Sequence, residues 1–130
     1  MSDLAPIQAG PRAIGPDQEP FVVAELSGNH KGDLGRALEL VHAAAEAGAH
    51  AVKIQTFTAD TITLDVDSPR FRLGADHALW PDRRLYELYE EAHTPWKWHE
   101  PIFELATELG MVGFSAAFDP TAVDLSLIHI

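Results

Sequence analysis

Apolar residues form two short uninterrupted runs in this chain, separated by a segment in which they recur at helical spacing. The runs at residues 21–26 and 51–56 are rich in β-branched residues, which is typical of buried strands. Asp33 and Gly48 suit the N-terminal cap and the C-terminal end of a helix between them. Its apolar positions are Leu34, Leu38, Val41 and Ala45. Strand, helix and strand in this order predict a right-handed βαβ unit in a parallel sheet.

The same alternation continues after a long connection, residues 57–81, which is rich in Thr, Asp, Arg and Pro. A short helix is predicted over residues 82–92. Thr94–Pro95 then predicts the N-cap and first residue of another helix, with a kink or a restart at Pro101. Residues 111–115 are predicted to form a third strand. The chain therefore contains three βα-type units without an internal repeat.

The first twenty residues contain four prolines and little periodicity. Residues 7–15 are consistent with a small hairpin around Gly10–Pro11. A frayed terminal segment is equally compatible with the local pattern.

Length, charge and composition exclude several classes of function for this protein. A chain of 130 residues suffices for one domain, but a complete eight-stranded barrel needs roughly 200 residues or more. The net charge of -11 argues against nucleic acid and anionic membrane surfaces as partners. No apolar run approaches the ~18 residues of a membrane span. The lack of cysteine excludes disulfides and thiolate chemistry. These features predict a cytoplasmic enzyme or binding protein.

Two charged residues interrupt the predicted strands, Glu25 near the end of the first and Lys53 within the second. Alternate side chains of a strand share a face, so both charges would lie near the mouth of a barrel if their faces point inward. Lys53 would then hold a phosphate or carboxylate, and Glu25 a sugar hydroxyl or a proton. A purely structural ion pair between the strands is the alternative.

The loop after the first strand, residues 27–32, is either an ordinary βα turn or a small anion-binding nest. Asn29 and His30 are its residues most able to touch a ligand. The seven histidines show no recognised metal-binding spacing, so we expect no metal site made from them alone.

Several motifs in register resemble the sialic acid synthase family, and two of them resemble its pseudaminic acid synthase branch. The family motifs are Ala24–His30, Gly48–Phe57 and Phe114–Asp119; the branch motifs are Thr58–Asp65 and Leu85–His99. The resemblance covers roughly residues 7 to 124. It implies an α/β fold: about three βα units from the N-terminal part of a (β/α)8 TIM barrel, whose bottom is covered by a hairpin. The domain prediction is an extension at 1–20, a partial barrel at 21–124 and a non-native tail at 125–130.

The resemblance also implies a reaction, the condensation of phosphoenolpyruvate with an amino-sugar aldose. A divalent metal, typically manganese, polarises the sugar aldehyde, and its histidine ligands are expected downstream, so no metal ligand is assigned in this chain. Lys53 would bind phosphoenolpyruvate and Glu25 the sugar, as the catalytic pair. The further substrate contacts that the resemblance implies are Asn29, His30, Gln55, Ser115 and Asp119.

The branch implies a 2,4-diacetamido-trideoxy sugar as substrate, and Trp80 in the long connection is expected to face its 6-deoxy methyl group. An N-acetylneuraminate synthase that uses N-acetylmannosamine is the alternative within the family. A non-catalytic partial-barrel binding module is the alternative outside it. Homodimers are usual in the family, so a homodimer is expected for the full-length protein. Residues 1–130 alone are expected to be inactive.

The chain departs from the family pattern at three places. Ala116–Ala117 replace a hydroxyl residue and a proline, which puts the rigidity of that loop in doubt. His50 stands where the family often has Asp. Leu125–Ile130 does not continue the resemblance and matches what a common sequencing-library adaptor encodes in one reading frame, which is the reason for expecting a non-native tail.

Overall fold

The N-terminal segment forms a hairpin that lies against the sheet. The computed structural model describes residues 5–75 and 81–129, with side chains up to residue 126. Strands β1 (Ile7–Ala9) and β2 (Arg12–Ile14) pair antiparallel. Gly10 turns the chain at φ +59°, and a Cβ there would lie 2.7 Å from Cγ2 of Val112. Of the two interpretations of this segment, the hairpin is confirmed.

Three parallel strands form the central sheet, with β4 (Ala51–Thr56) between β3 (Val23–Glu25) and β5 (Val112–Ala117). The predicted parallel sheet is confirmed. Strand β3 is shorter than predicted, whereas β5 starts one residue later and ends two residues later than predicted. The α/β class is therefore established for the described residues.

Within residues 5–75 and 81–129, five helices follow or connect the strands. They are α1 (Leu34–Glu46), α2 (Ala59–Ile62), α3 (Leu85–Ala92), α4 (His99–Glu108) and α5 (Pro120–His129), with 3-10 turns at Pro69–Phe71 and Trp96–Trp98. Asp33 caps α1, because its Oδ1 accepts the N–H of Arg36 at 2.6 Å, and Gly48 follows the helix at φ +83°. Both predicted helix signals are confirmed. Among the described residues, no helix has the length and apolar character needed to cross a membrane.

Two predictions for the second half of the chain need correction. The connection after β4 contains the short helix α2 and a 3-10 turn. Thr94 is not a helix cap; its side chain is buried and contacts His30. The helix restarts at His99, so Pro101 falls in the first turn of α4, where its missing N–H leaves no hydrogen bond broken.

The hydrophobic core lies between one face of the sheet and the helices α1 and α4. Its members include Leu26, Val52 and Ile54 from the sheet, Ala37 and Val41 from α1, and Ile102, Phe103 and Ala106 from α4. Gly113 allows this approach, since a Cβ there would meet the Phe103 ring at 2.5 Å. The opposite face, which we call the open face, carries Glu25 of β3, Lys53 and Gln55 of β4, and Phe114 and Ala116 of β5.

Candidate active site

An ion pair joins two neighbouring strands on the open face. Glu25 and Lys53 are partners in the register of β3 and β4, and Lys53 Nζ lies 2.7 Å from Glu25 Oε2. Each side chain remains about one-third exposed. The backbone N–H of Ser27 donates to the other carboxylate oxygen, Oε1, at 3.1 Å. The predicted proximity of the two charges is confirmed, and the pair is accessible from the open face.

Gln55 and two apolar residues surround this pair. Gln55 lies two residues beyond Lys53, on the same face and towards the carboxyl end of β4. Its partner in the register is Ala116, and Phe114 is the partner of Lys53. The face thus offers a cation, a carboxylate and an amide beside an aromatic ring. Such a set can hold an anionic group and a hydroxyl-bearing molecule side by side.

Ser115 lies on the other side of the sheet. It is the register partner of Ile54, and its Oγ is 2.5 Å from Thr56 Oγ1 and 3.2 Å from the Ile54 carbonyl. The pleat sends alternate residues to opposite faces, so Ser115 does not share a face with Lys53. The structure therefore does not bring Ser115 together with the Glu25–Lys53 pair, and its implied contact with substrate stays a prediction.

Asp119 caps the last helix. Its Oδ1 accepts hydrogen bonds from the Thr121 hydroxyl at 2.5 Å and from the N–H groups of Thr121 and Ala122 at 2.7 and 3.1 Å. The Thr121 hydroxyl and these N–H groups lower the pKa of Asp119. Its Oδ2 atom is buried with no hydrogen-bond partner among the described residues. Asp119 therefore has a structural role as a helix cap, and its implied contact with substrate stays a prediction.

The two loop residues predicted to touch a ligand differ in accessibility. Asn29 is exposed, and its side-chain amide donates to the Leu26 carbonyl at 3.1 Å. His30 is only 2% exposed, and its ring packs edge-on against Trp98 in the core. Burial lowers the pKa of His30, and the nearby His93 lowers it further. His30 thus lies on the helix side of the sheet, away from the Glu25–Lys53 pair, and its implied contact with substrate stays a prediction.

The sequence analysis did not predict a buried series of hydrogen bonds on the helix side of β4. His99 Nε2 lies 2.6 Å from Thr56 Oγ1, and its Nδ1 lies 3.0 Å from the Trp96 carbonyl. Both His99 and Thr56 are fully buried. The one available signal was Thr56 itself, a hydroxyl residue at a position where the pattern of β4 calls for an apolar side chain.

Two further predictions concern metal binding and Trp80. In the parts of the chain that the structure describes, no group of three or more His, Asp or Glu side chains is arranged to hold a metal ion. We assign no metal ligand among these residues. Trp80 lies outside the described residues.

Comparison with known proteins identifies one family to which the sequence of this chain is similar. The model of the NeuB family matches residues 40–128. Pseudaminic acid synthase of Campylobacter jejuni subsp. jejuni serotype O:2 is 49% identical over 102 residues, which cover 78% of this chain and 29% of the relative. The Helicobacter pylori pseudaminic acid synthase is 44% identical over 108 residues, covering 83% and 31%.

A solved structure agrees in fold. The N-acetylneuraminic acid (sialic acid) synthetase of Leptospira borgpetersenii serovar Hardjo-bovis superposes with a TM-score of 0.74 at 25% identity, covering 96% of this chain and 38% of that one. The chain spans less than a third of the length of the two pseudaminic acid synthases. The family-model match, the sequence identity and the shared fold together confirm the resemblance first seen in the motifs, and they place this chain in the NeuB family.

Proposed function

We propose that this chain supplies the first strands of a (β/α)8 barrel that condenses phosphoenolpyruvate with an amino-sugar aldose to give a nonulosonic acid. The observation that carries the proposal is the Glu25–Lys53 pair. It joins neighbouring parallel strands on the face that no described helix covers, with Glu25 at the carboxyl end of β3 and Lys53 in the middle of β4. Barrel enzymes place their catalytic groups at the carboxyl ends of the strands.

Lys53 is the group that binds phosphoenolpyruvate. Its ammonium has three N–H donors, so one can stay on Glu25 while the others reach a carboxylate or phosphate oxygen. Glu25 accepts a hydrogen bond from a sugar hydroxyl. The pair would hold the enol carbon of one substrate beside the aldehyde carbon of the other, which removes much of the entropic barrier to bond formation.

In the proposed reaction, a bond forms between the enol carbon and the aldehyde carbon, and the aldehyde oxygen takes up a proton. Water adds to C2 of phosphoenolpyruvate, and the C–O bond to phosphate breaks. Residues outside the described ones would hold a divalent metal, proposed to be manganese, and the metal would supply Lewis-acid polarisation of the aldehyde.

The sugar we propose is a 2,4-diacetamido-trideoxy aldose, the substrate class of the pseudaminic acid branch. The two pseudaminic acid synthases at 49% and 44% identity support this choice over N-acetylmannosamine. We further propose that the complete enzyme is a cytoplasmic homodimer.

A chimera tests the proposal. The matching segment of this chain replaces its counterpart in the C. jejuni pseudaminic acid synthase. Phosphate release from phosphoenolpyruvate is then measured with each sugar in the presence of manganese. We expect activity with the diacetamido sugar, at least tenfold above that with N-acetylmannosamine.

Lys53→Met and Lys53→Arg serve as the matched pair in this chimera. Loss of the cation is expected to lower kcat/KM about 100-fold, as removal of a preorganised charge partner does in other active sites, and Arg should restore part of it. A preference for N-acetylmannosamine would overturn the assignment of the sugar. A folded chimera inactive with both sugars would overturn the synthase proposal.

A further inference from the structure

The turn that follows β3 and the end of β4 are both anchored to one segment, which consists of the connection between α3 and α4 and the first residue of α4. Thr94 of the connection contacts His30, and His99, the first residue of α4, contacts Thr56. His30 belongs to the turn that leaves β3, the strand of Glu25. Thr56 ends β4, the strand of Lys53. We call His30, Thr94, His99 and Thr56 the histidine brace.

Each pair in the brace has a defined hydrogen-bond direction. The Gly32 N–H donates to His30 Nδ1 at 3.1 Å, so the His30 proton lies on Nε2 and is donated to Thr94 Oγ1 at 3.2 Å. His99 shows the opposite arrangement. Its Nδ1–H donates to the Trp96 carbonyl at 3.0 Å, so its Nε2 accepts the Thr56 hydroxyl proton at 2.6 Å.

All four brace side chains are buried in an otherwise apolar layer. Burying a polar group costs free energy unless it is hydrogen-bonded, and apolar side chains could fill the same space without that cost. What a hydrogen bond adds is direction. Ser115 extends this constraint to β5, because its Oγ lies 2.5 Å from Thr56 Oγ1.

We infer that the histidine brace is a positioning device that holds β3 and β4, the strands that carry Glu25 and Lys53, at a fixed separation. The inference rests on the proposed function. It assigns His30 and His99 as positioning residues that act through the backbone of β3 and β4, and it gives the buried Thr56 hydroxyl the central role, since that hydroxyl links β4 to both α4 and β5.

To test the brace, kcat and KM are measured for the chimera that carries Thr56→Val. This substitution removes the hydroxyl at nearly constant side-chain volume. We expect kcat to fall about tenfold or more, because small misplacements of reacting groups are costly, while KM for phosphoenolpyruvate changes less than about threefold. Thr56→Ser keeps the hydroxyl and should restore kcat to within about threefold. Thr107→Val is the matched control, because that hydroxyl bonds only within α4, to the Phe103 carbonyl.

Thr56→Val and Thr107→Val with equal kcat would overturn the inference. A second measurement does not require activity. Nitrogen-15 NMR of the chimera, labelled at its histidines, should show the Nε2–H tautomer for His30 and the Nδ1–H tautomer for His99 at neutral pH. The reverse tautomers would overturn the brace even in an active enzyme. An inactive chimera with the expected tautomers would count against the proposed function alone.

Discussion

Glu25 and Lys53 occupy strand positions where apolar side chains would be the safer choice for stability. Their carboxylate and ammonium lie 2.7 Å apart, yet both groups remain about one-third exposed. Water screens such a pair, so its contribution to folding is small, within about 0–1 kcal/mol. At the scale of single residues, stability is therefore a weak reason for these charges to be here, and ligand binding is a stronger one.

Glu25→Gln separates the two roles of the pair. It keeps the shape and removes the charge, so we expect the free energy of unfolding to change by less than about 1 kcal/mol. Activity of the chimera should fall about 100-fold because the charged hydrogen-bond acceptor is lost. Urea unfolding and phosphate release measure the two effects. A large loss of stability with retained activity would favour the structural ion pair.

His30 predicts a pH dependence of stability. Burial lowers its pKa below the ordinary value of 6.5, so the unfolded chain binds more protons than the folded chain in the window between the two values. The stability that neutral His30 contributes is thus complete above about pH 6.5 and is lost as the pH falls through the lowered pKa. Protonation would also remove the Nδ1 acceptor of the Gly32 N–H.

Urea midpoints of the chimera at about pH 7.5 and about pH 5 measure this effect, with His30→Gln in the chimera as the control because its amide does not titrate in this range. The parent should lose more stability than the variant on acidification. Equal losses in the two proteins would show that His30 is not the responsible group.

At the scale of elements, the close packing of β5 on α4 depends on a single missing side chain. Gly113 lies where any Cβ would come within 2.5 Å of the Phe103 ring. The neighbouring strand β4 is held to α4 from the same side by the Thr56–His99 contact. The helix α4 and the sheet therefore meet at a distance that leaves no room for adjustment.

Gly113→Ala is expected to destabilise the protein by about 1–3 kcal/mol through overpacking. The free energy of unfolding in urea, compared between Gly113→Ala and the double variant Gly113→Ala with Phe103→Leu, tests whether the Phe103 ring is the cause. The smaller Leu should recover part of the loss. Additive losses in the double variant would show that the Phe103 ring is not what the new methyl group meets.

At the scale of the whole molecule, the sheet has one covered face and one face without a helix among the described residues. In the part of the chain that the structure describes, the strands β3 and β5 each have one neighbour, β4. Unpaired strand edges of this kind promote association with other chains. The chain also spans less than a third of the length of its pseudaminic acid synthase relatives.

Residues 1–130 alone are expected to release no phosphate from phosphoenolpyruvate, because Glu25 and Lys53 face water without the surroundings that a closed barrel would provide. Size-exclusion chromatography should show aggregated rather than monodisperse protein. Phosphate release that requires both the sugar and manganese would contradict this expectation. A monodisperse chain with cooperative unfolding would instead favour the binding-module interpretation.

The pattern of apolar and polar residues determined α1, α3, α4 and the three parallel strands, and their order. The hairpin was one of two interpretations, and α2 and α5 were not predicted. Hydrophobic periodicity marked α1, β4 and β5, Asp33 and Gly48 marked the ends of α1, and the strand–helix–strand order identified the parallel sheet. These signals are local, so a single sequence contains them. The ion pair was also accessible to this reasoning, since the pleat and register alone bring Glu25 opposite Lys53.

Only the tertiary structure decided which polar residues face the candidate site and which are buried behind it. His30 and Ser115 belong to motifs of the family, yet both lie on the helix side of the sheet. Their partners, Thr94 and Thr56, are 64 and 59 residues away in sequence. Local patterns carry no information about contacts at such separations. The direction of a buried hydrogen bond depends on how the elements pack, and packing is a property of the folded chain.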